Sequence, residues 1–581
     1  MKTILIIINL TFIVISCRLR STEDNVPEVT ERSFLNPIIP GFYPDPSICK
    51  VEDNYYMVNS TFSFYPGVPI FQSRDLVNWK QLGHVLDRPG QLNLDGLDIS
   101  QGIFAPTIRY HNDTFYMITT LVGGGGNFLV TADNPEGPWS DPIWLPDVTG
   151  IDPSFFFDDD GKSYIVFNSD PPDNISLYEG HRAIWLYEFD TETKKTFGEK
   201  YLLVNGGTDI TKKPIWIEGP HIFKVNQYYY LIAAEGGTGI NHSEVVFRSK
   251  NIKGPFTSYE KNPVLTQRHL DINREYPVTC TGHADIVQIP NGDWWAVFLG
   301  CKPYENNFFN TGRETFLVPV TWVSGWPVLN QGFETIKYSY RSPQLKEHKW
   351  DRSVLNGNFT VIDEFENENL DFAWIFIRTV REKWYSMKVS PGNLRINLRP
   401  EVIWGKYNPS FVGRRQQHAN CYASAALTFS PVSENELAGI AAFQNCTHFY
   451  YLCKTLRDNK EVVQLIKGKD PLNTGTKENS DGPYKLIKEV TLENNEAGKK
   501  LYLKIEASGG EYSFFYSAIE NEWKTVAKGA DGKYLSTEVA GGFVGTILGM
   551  YASSNKKPSE NHADFDWFEY SGNDPVYNSL K

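Results

Sequence analysis

Residues 45–58 read Asp45-Pro46-Ser47-Ile48-Cys49-Lys50-Val51-Glu52-Asp53-Asn54-Tyr55-Tyr56-Met57-Val58. An Asp-Pro pair opens an apolar run, a polar turn follows, and a second run begins on paired aromatics. The simplest reading is strand, turn, strand, with Asp53-Asn54 at the turn and β-branched and aromatic residues in the strands. The pattern returns four times. It runs from Ala105-Pro106-Thr107-Ile108 to Phe115-Tyr116-Met117-Ile118, and from Asp152-Pro153-Ser154-Phe155 to Tyr164-Ile165-Val166. It runs again from Gly219-Pro220-His221-Ile222 to Tyr228-Tyr229-Tyr230-Leu231, and from His283-Ala284-Asp285-Ile286 to Trp294-Trp295-Ala296-Val297. Successive repeats start 47 to 67 residues apart, which leaves room for two more strands in each. Three of the gaps share a further motif: Ser73-Arg74-Asp75 to Trp79, Ala132-Asp133-Asn134 to Trp139, and Ser249-Lys250-Asn251 to Phe256. Four strands repeated five times predict a five-bladed β-propeller over residues 34–340.

The pattern changes after about residue 340. Residues 341–360, with the polar stretch Pro343 to Lys349, read as a linker. Short alternating strands then resume, as in Tyr422-Ala423-Ser424-Ala425-Ala426-Leu427 and Lys500-Leu501-Tyr502-Leu503-Lys504-Ile505. Residues 361–581 are therefore expected to form a β-sandwich of ordinary domain size, making the whole chain all-β.

The chain has 581 residues, enough for two or three domains. Its net charge is −13 and no basic patch stands out, which argues against a nucleic-acid partner. Aromatics make up 14% of residues, a content that suits both sugar stacking and a large sheet core. The first 17 residues combine a charged start with an apolar run from Ile4 to Ile15, too short to span a membrane comfortably. The run ends in Ser16-Cys17, which resembles a bacterial lipoprotein cleavage site with a lipid anchor at Cys17; a plain secretory signal is the alternative. Both readings export the protein, and residues 18–33 read as a tether. Six further cysteines form no CxxC pair, so a structural zinc site is not expected. Cys446 and Cys453 could pair; their spacing leaves this open. Nothing in the sequence signals an oligomeric state.

The first strand of each propeller repeat lines the central channel, so the residues that start these strands should converge at one end. Three of the five starts carry an acid: Asp45, Asp152 and Glu218. Asp-Pro alone is a common turn opener. Three acids facing one cavity, however, are unfavourable unless their charges serve something. Glycoside hydrolysis needs two carboxyl groups in opposite protonation states, and a third can keep the donor protonated. Asp158-Asp159-Asp160, by contrast, falls in a hairpin turn and is expected to be solvated.

The run Asn36 to Ser47 closely resembles the opening of glycoside hydrolase family 43. So do Gly150 to Ser154, Ile217 to His221, Ala234 to Thr238, Thr281 to Ala284 and Gly312 to Phe316. The tail resembles the concanavalin-like sandwich often attached to that family. The resemblance implies an inverting mechanism with Asp45 as general base, Glu218 as general acid and Asp152 tuning that acid. The carboxyls of an inverting pair stand roughly 6.5–9.5 Å apart. Arg313 matches a family residue that reaches the sugar; the alternative for it is a salt bridge to Glu314. His283 is expected near the site. A calcium ion near His283 is allowed by the resemblance, but catalysis should require no cofactor.

Family members cleave terminal β-D-xylosides, α-L-arabinofuranosides or both. The stretches Phe104 to His111, Gly123 to Phe128 and Phe316 to Trp322 look most like the arabinofuranosidase branch. The resemblance therefore implies an oligosaccharide substrate bearing terminal arabinofuranose, from arabinoxylan, arabinan or xyloglucan. A propeller that only binds carbohydrate is the alternative of another class. The sandwich is expected to be structural, closing one side of the pocket.

Overall fold

The computed structural model describes residues 32–469 and 483–580. Cys17 and the export segment lie outside the described residues. Five antiparallel sheets follow one another along the chain, each of four strands except the fourth, which carries a fifth short strand. Their first strands are Ser47–Val51, Gly102–His111, Ile151–Phe157, Glu218–Val225 and Thr279–Gln288. These five strands neighbour one another in a closed ring, the arrangement of propeller blades around a channel. The N-terminal segment closes the ring. The Asn36 side chain donates to Leu317 O at 2.8 Å and accepts from Leu317 N–H at 2.9 Å, bonding the segment ahead of the first blade to the fifth blade.

The residue after each Pro explains why the repeat keeps a polar group there. Thr107 donates to Pro153 O at 3.1 Å, and Ser154 donates to Pro220 O at 2.6 Å, each joining one blade to the next. In the fifth blade this position is Asp285. It accepts from Arg109 at 2.8 Å, from Ser47 at 2.9 Å and from Ile48 N–H at 3.0 Å, joining the fifth blade to the first and second. Buried polar groups are thereby satisfied across every one of these seams.

From Thr360 onward two large sheets stack face to face. One has eight strands and the other six. Leu394, Ala425, Leu503, Phe565 and Tyr570 point inward from the first, and Ile440, Leu452, Val463 and Met550 from the second. The two halves of the chain share cores as well. Phe42, Phe62 and Phe64 of the propeller pack with Ile375, Phe411 and Ile547 of the sandwich in one buried cluster. A short sheet crosses the boundary, pairing Phe64–Tyr65 with Phe376–Ile377.

One expectation needs correcting, and one open question is answered. Asp158 is buried, not solvated: its carboxylate accepts from Lys224 Nζ at 2.6 Å and from Tyr229 OH at 2.6 Å, tying the third blade to the fourth. Cys446 and Cys453 are both free thiols. Cys446 Sγ instead donates to Gly405 O at 3.3 Å and accepts from Arg378.

Candidate active site

The five blade starts share an unusual backbone. Asp45, Ala105, Asp152, Gly219 and His283 have φ of 52°, 34°, 54°, 57° and 54°. In four of the blades the ladder skips at this point, a bulge that turns the side chain out of the sheet and into the channel mouth. The Pro that follows in the first four blades lacks an N–H and so fits where pairing is interrupted. Left-handed backbone at a non-glycine residue is unfavourable, and such strain gathers at functional sites.

Glu218 is not at the position of the other two acids. It pairs with Ala234 as Ile151 pairs with Asn168 and Phe104 with Thr120. Gly219 stands where Asp45 and Asp152 stand. A Cβ on Gly219 would lie 2.9 Å from the His283 ring, so only glycine fits beside that imidazole. The fourth acid position is thereby vacated, and Glu218 reaches in from one residue earlier.

All five candidate residues line one cavity of about 280 Å³. Asp45, Asp152, Glu218, His283 and Arg313 form its buried floor. Phe62, Phe104, Ala105 and Ile151 form walls, and Trp216, Gly237 and Thr238 the remainder. Phe543 arrives from the sandwich. It stacks on Phe62 at 5.8 Å and meets Phe104 edge-on at 5.7 Å. The sandwich thus closes one side of the pocket.

Burial alone would raise the Asp45 pKa. Arg313 (3.1 Å), His283 (3.8 Å) and a 2.6 Å hydrogen bond from Ser60 reverse this and hold Asp45 below the ordinary carboxylate range. Glu218 behaves oppositely. Burial raises it, and the negative charges of Asp152 and Asp45 raise it further. Asp152 is also raised, to about 6, chiefly by burial; it accepts from Gly219 N–H at 3.0 Å. One carboxyl is thus held charged while two share a site where protons are retained.

Arg313 makes no pair with Glu314, which accepts from Gly41 N–H at 2.6 Å and faces Lys302 at 3.2 Å. The Nε of Arg313 is buried without a hydrogen-bond partner, while the residue itself lines the cavity. The surroundings of His283 do not fit a protein cage for calcium. Asp285 is committed to Arg109, and among the described residues no three His, Cys, Asp or Glu side chains cluster to hold an ion.

Sequence reasoning missed Phe62, Phe104, Trp216 and Phe543. Trp216 carried a signal, since it lies two residues before a candidate acid. Phe543 carried none, because no local pattern joins it to a pocket more than two hundred residues away.

Residues 34–327 match the glycosyl hydrolases family 43 profile, and residues 362–571 match the β-xylosidase C-terminal concanavalin A-like domain. The chain belongs to glycoside hydrolase family 43. This family 43 glycosidase is 41% identical to a xylosidase/arabinosidase of Butyrivibrio fibrisolvens, over 92% of this chain and 98% of that one. It is 39% identical to a non-reducing end α-L-arabinofuranosidase of Bacteroides ovatus, over 93% and 95%. A solved structure described as Bacteroides ovatus xyloglucan PUL GH43B superposes with a TM-score of 0.81, at 38% identity, covering 93% of this chain and 99% of that one. The chain is accordingly an exo-acting enzyme of the xylosidase/arabinosidase group acting on oligosaccharides.

Proposed function

We propose that this enzyme is an inverting α-L-arabinofuranosidase that removes terminal arabinofuranose from hemicellulose side chains. The observation that carries the mechanism is the opposite electrostatics of Asp45 and Glu218 on one cavity floor. Asp45, held ionised by Arg313, takes a proton from the water that attacks the anomeric carbon. Glu218, kept protonated by burial and by Asp152, donates to the departing glycosidic oxygen. Asp152 acts through Glu218, and the Gly219 N–H fixes its orientation. Arg313, which lines the cavity, offers its guanidinium to a hydroxyl of the terminal sugar while steadying the base. A cavity of about 280 Å³, walled by phenylalanines, holds one terminal sugar and not the middle of a chain, in keeping with exo action.

The arabinofuranoside preference rests on the three stretches named above and on the name of the Bacteroides relative. A dual xylosidase/arabinosidase is the second reading, favoured by the name of the Butyrivibrio relative. Side-by-side kcat/KM on the aryl α-L-arabinofuranoside and the aryl β-D-xyloside tests the choice. A preference for the arabinoside is expected. A preference for the xyloside makes the protein a β-xylosidase, and turnover of neither revives a purely binding propeller. Export and a lipid anchor at Cys17 belong to the same proposal; a Cys17→Ser variant should leave the membrane fraction and lose label from a radioactive fatty acid.

A further inference from the structure

The cavity is graded in depth. Asp45, Asp152, Glu218, His283 and Arg313 are 4 to 8% exposed, whereas Trp216 is 39% exposed. An exposed indole needs no explanation by itself, but this one is held rigidly in an unfavourable backbone with φ of 50°. The Trp216 backbone N–H donates to Gly180 O at 2.9 Å, the preceding Ile215 O accepts from Gly236 N–H at 2.8 Å, and the following Ile217 O accepts from Asn168. The Arg182 guanidinium lies 5.0 Å from the ring centroid and is itself anchored on Asn168 Oδ1 at 3.1 and 3.0 Å. Arg182 does not line the cavity; Trp216 does. The guanidinium therefore braces the ring from a position outside the cavity lining.

The remaining aromatics stand elsewhere. Phe62, Phe104 and Phe543 pack on one another, with Arg313 over Phe62 and Phe543. Trp216 instead precedes Glu218 by two residues on the approach to the same strand. The oxygen that Glu218 protonates leaves with the second sugar, so that sugar departs past Trp216.

We propose that Trp216 is the stacking platform for the leaving sugar, and that this sugar is a pyranose. The inference rests on the reading of Glu218 as proton donor. A xylopyranose chair carries its substituents at its equator and offers flat C–H faces to an indole. A puckered furanose projects a ring atom and substituents from its faces and stacks poorly. The site therefore favours arabinofuranose linked to xylopyranose over arabinofuranose linked to arabinofuranose.

The test uses the full-length protein and three substrates: arabinofuranosyl-xylobiose, α-1,5-arabinobiose and methyl α-L-arabinofuranoside. Wild type should favour arabinofuranosyl-xylobiose over arabinobiose by about tenfold or more in kcat/KM, and Trp216→Ala should lower the first substrate at least about tenfold more than the methyl glycoside. Equal losses on all three substrates, or a wild-type preference for arabinobiose, overturns the proposal. If Trp216→Ala does not fold, Trp216→Leu, apolar but without a flat ring, carries the same comparison. If wild type cleaves only xylosides, the terminal-sugar reading fails separately, and Trp216 is judged by the same ratio on xylobiose against methyl β-D-xyloside.

Discussion

Asp45 and Glu218 lie on one cavity floor, yet their neighbours push their protons in opposite directions. Different substitutions should expose that difference. Glu218→Gln removes the donor, so its effect should scale with how badly the leaving group needs a proton. We expect a loss of about 10²–10⁴-fold on oligosaccharides and a much smaller one on a dinitrophenyl glycoside, whose anion departs unaided. Asp45→Asn removes the base and should reduce both substrates alike; matching patterns for the two variants would refute the assignment. The pH profile follows from the same signs. Catalysis needs Asp45 ionised and Glu218 protonated. The lowered Asp45 sets an acid limb below the usual carboxylate range, and the raised Glu218 sets an alkaline limb well above that range. Rates of kcat/KM measured across pH should be bell-shaped, and a flat profile would contradict the pair. Gly219 gives a third residue-scale prediction. Gly219→Ala drives a methyl to 2.9 Å from the His283 ring, at a φ of 57°. His283 must shift, and because it helps hold Asp45 ionised, the acid limb should move upward.

At the scale of strands, the repeat was readable because each blade must solve the same problems. An apolar strand must pack, a tight turn must follow, and a polar group after Pro must bond the neighbouring blade. Those demands leave the same residue types five times. What the repeat could not show is how one blade departs from it. Glu218 slips by a residue because the His283 ring fills the space beside Gly219, a contact between blades that spacing alone does not encode. Asp158 was misread for a related reason. A turn of three acids looks solvated until the fourth blade brings Lys224 and Tyr229 against it. Asp158→Ala should leave Tyr229 without its acceptor and Lys224 with only the exposed Asp159 at 3.5 Å, and lower stability by about 2 kcal/mol. Thermal unfolding should show a lower Tm with kcat/KM near that of wild type, since this turn is remote from the cavity. An unshifted Tm would mean that Asp158 is as free as its sequence suggests.

At the scale of the molecule, the sandwich completes the site by two routes. Its Arg415 is fully buried, donates to Phe42 O at 2.6 Å and to Tyr43 OH at 3.2 Å, and lies 4.1 Å from the Tyr43 ring. It thereby fixes the chain just before Asp45. Phe543 supplies a wall, with its ring 5.6 Å from the Arg313 guanidinium. A propeller cut free at residue 345 would expose Phe42, Phe62 and Phe64, which now share a core with the sandwich, so simple truncation would confuse aggregation with lost function. Phe543→Ala separates them. The residue is only partly buried, so the fold should survive with a small change in Tm. Water would gain access beside Arg313, weakening its grip on the terminal sugar and on Asp45 together. The expected result is a fall of about tenfold or more in kcat/KM, with KM raised as well as kcat lowered. Phe543→Leu, which restores an apolar wall, should recover much of it. Full activity in Phe543→Ala would reduce the sandwich to a scaffold acting only through Arg415.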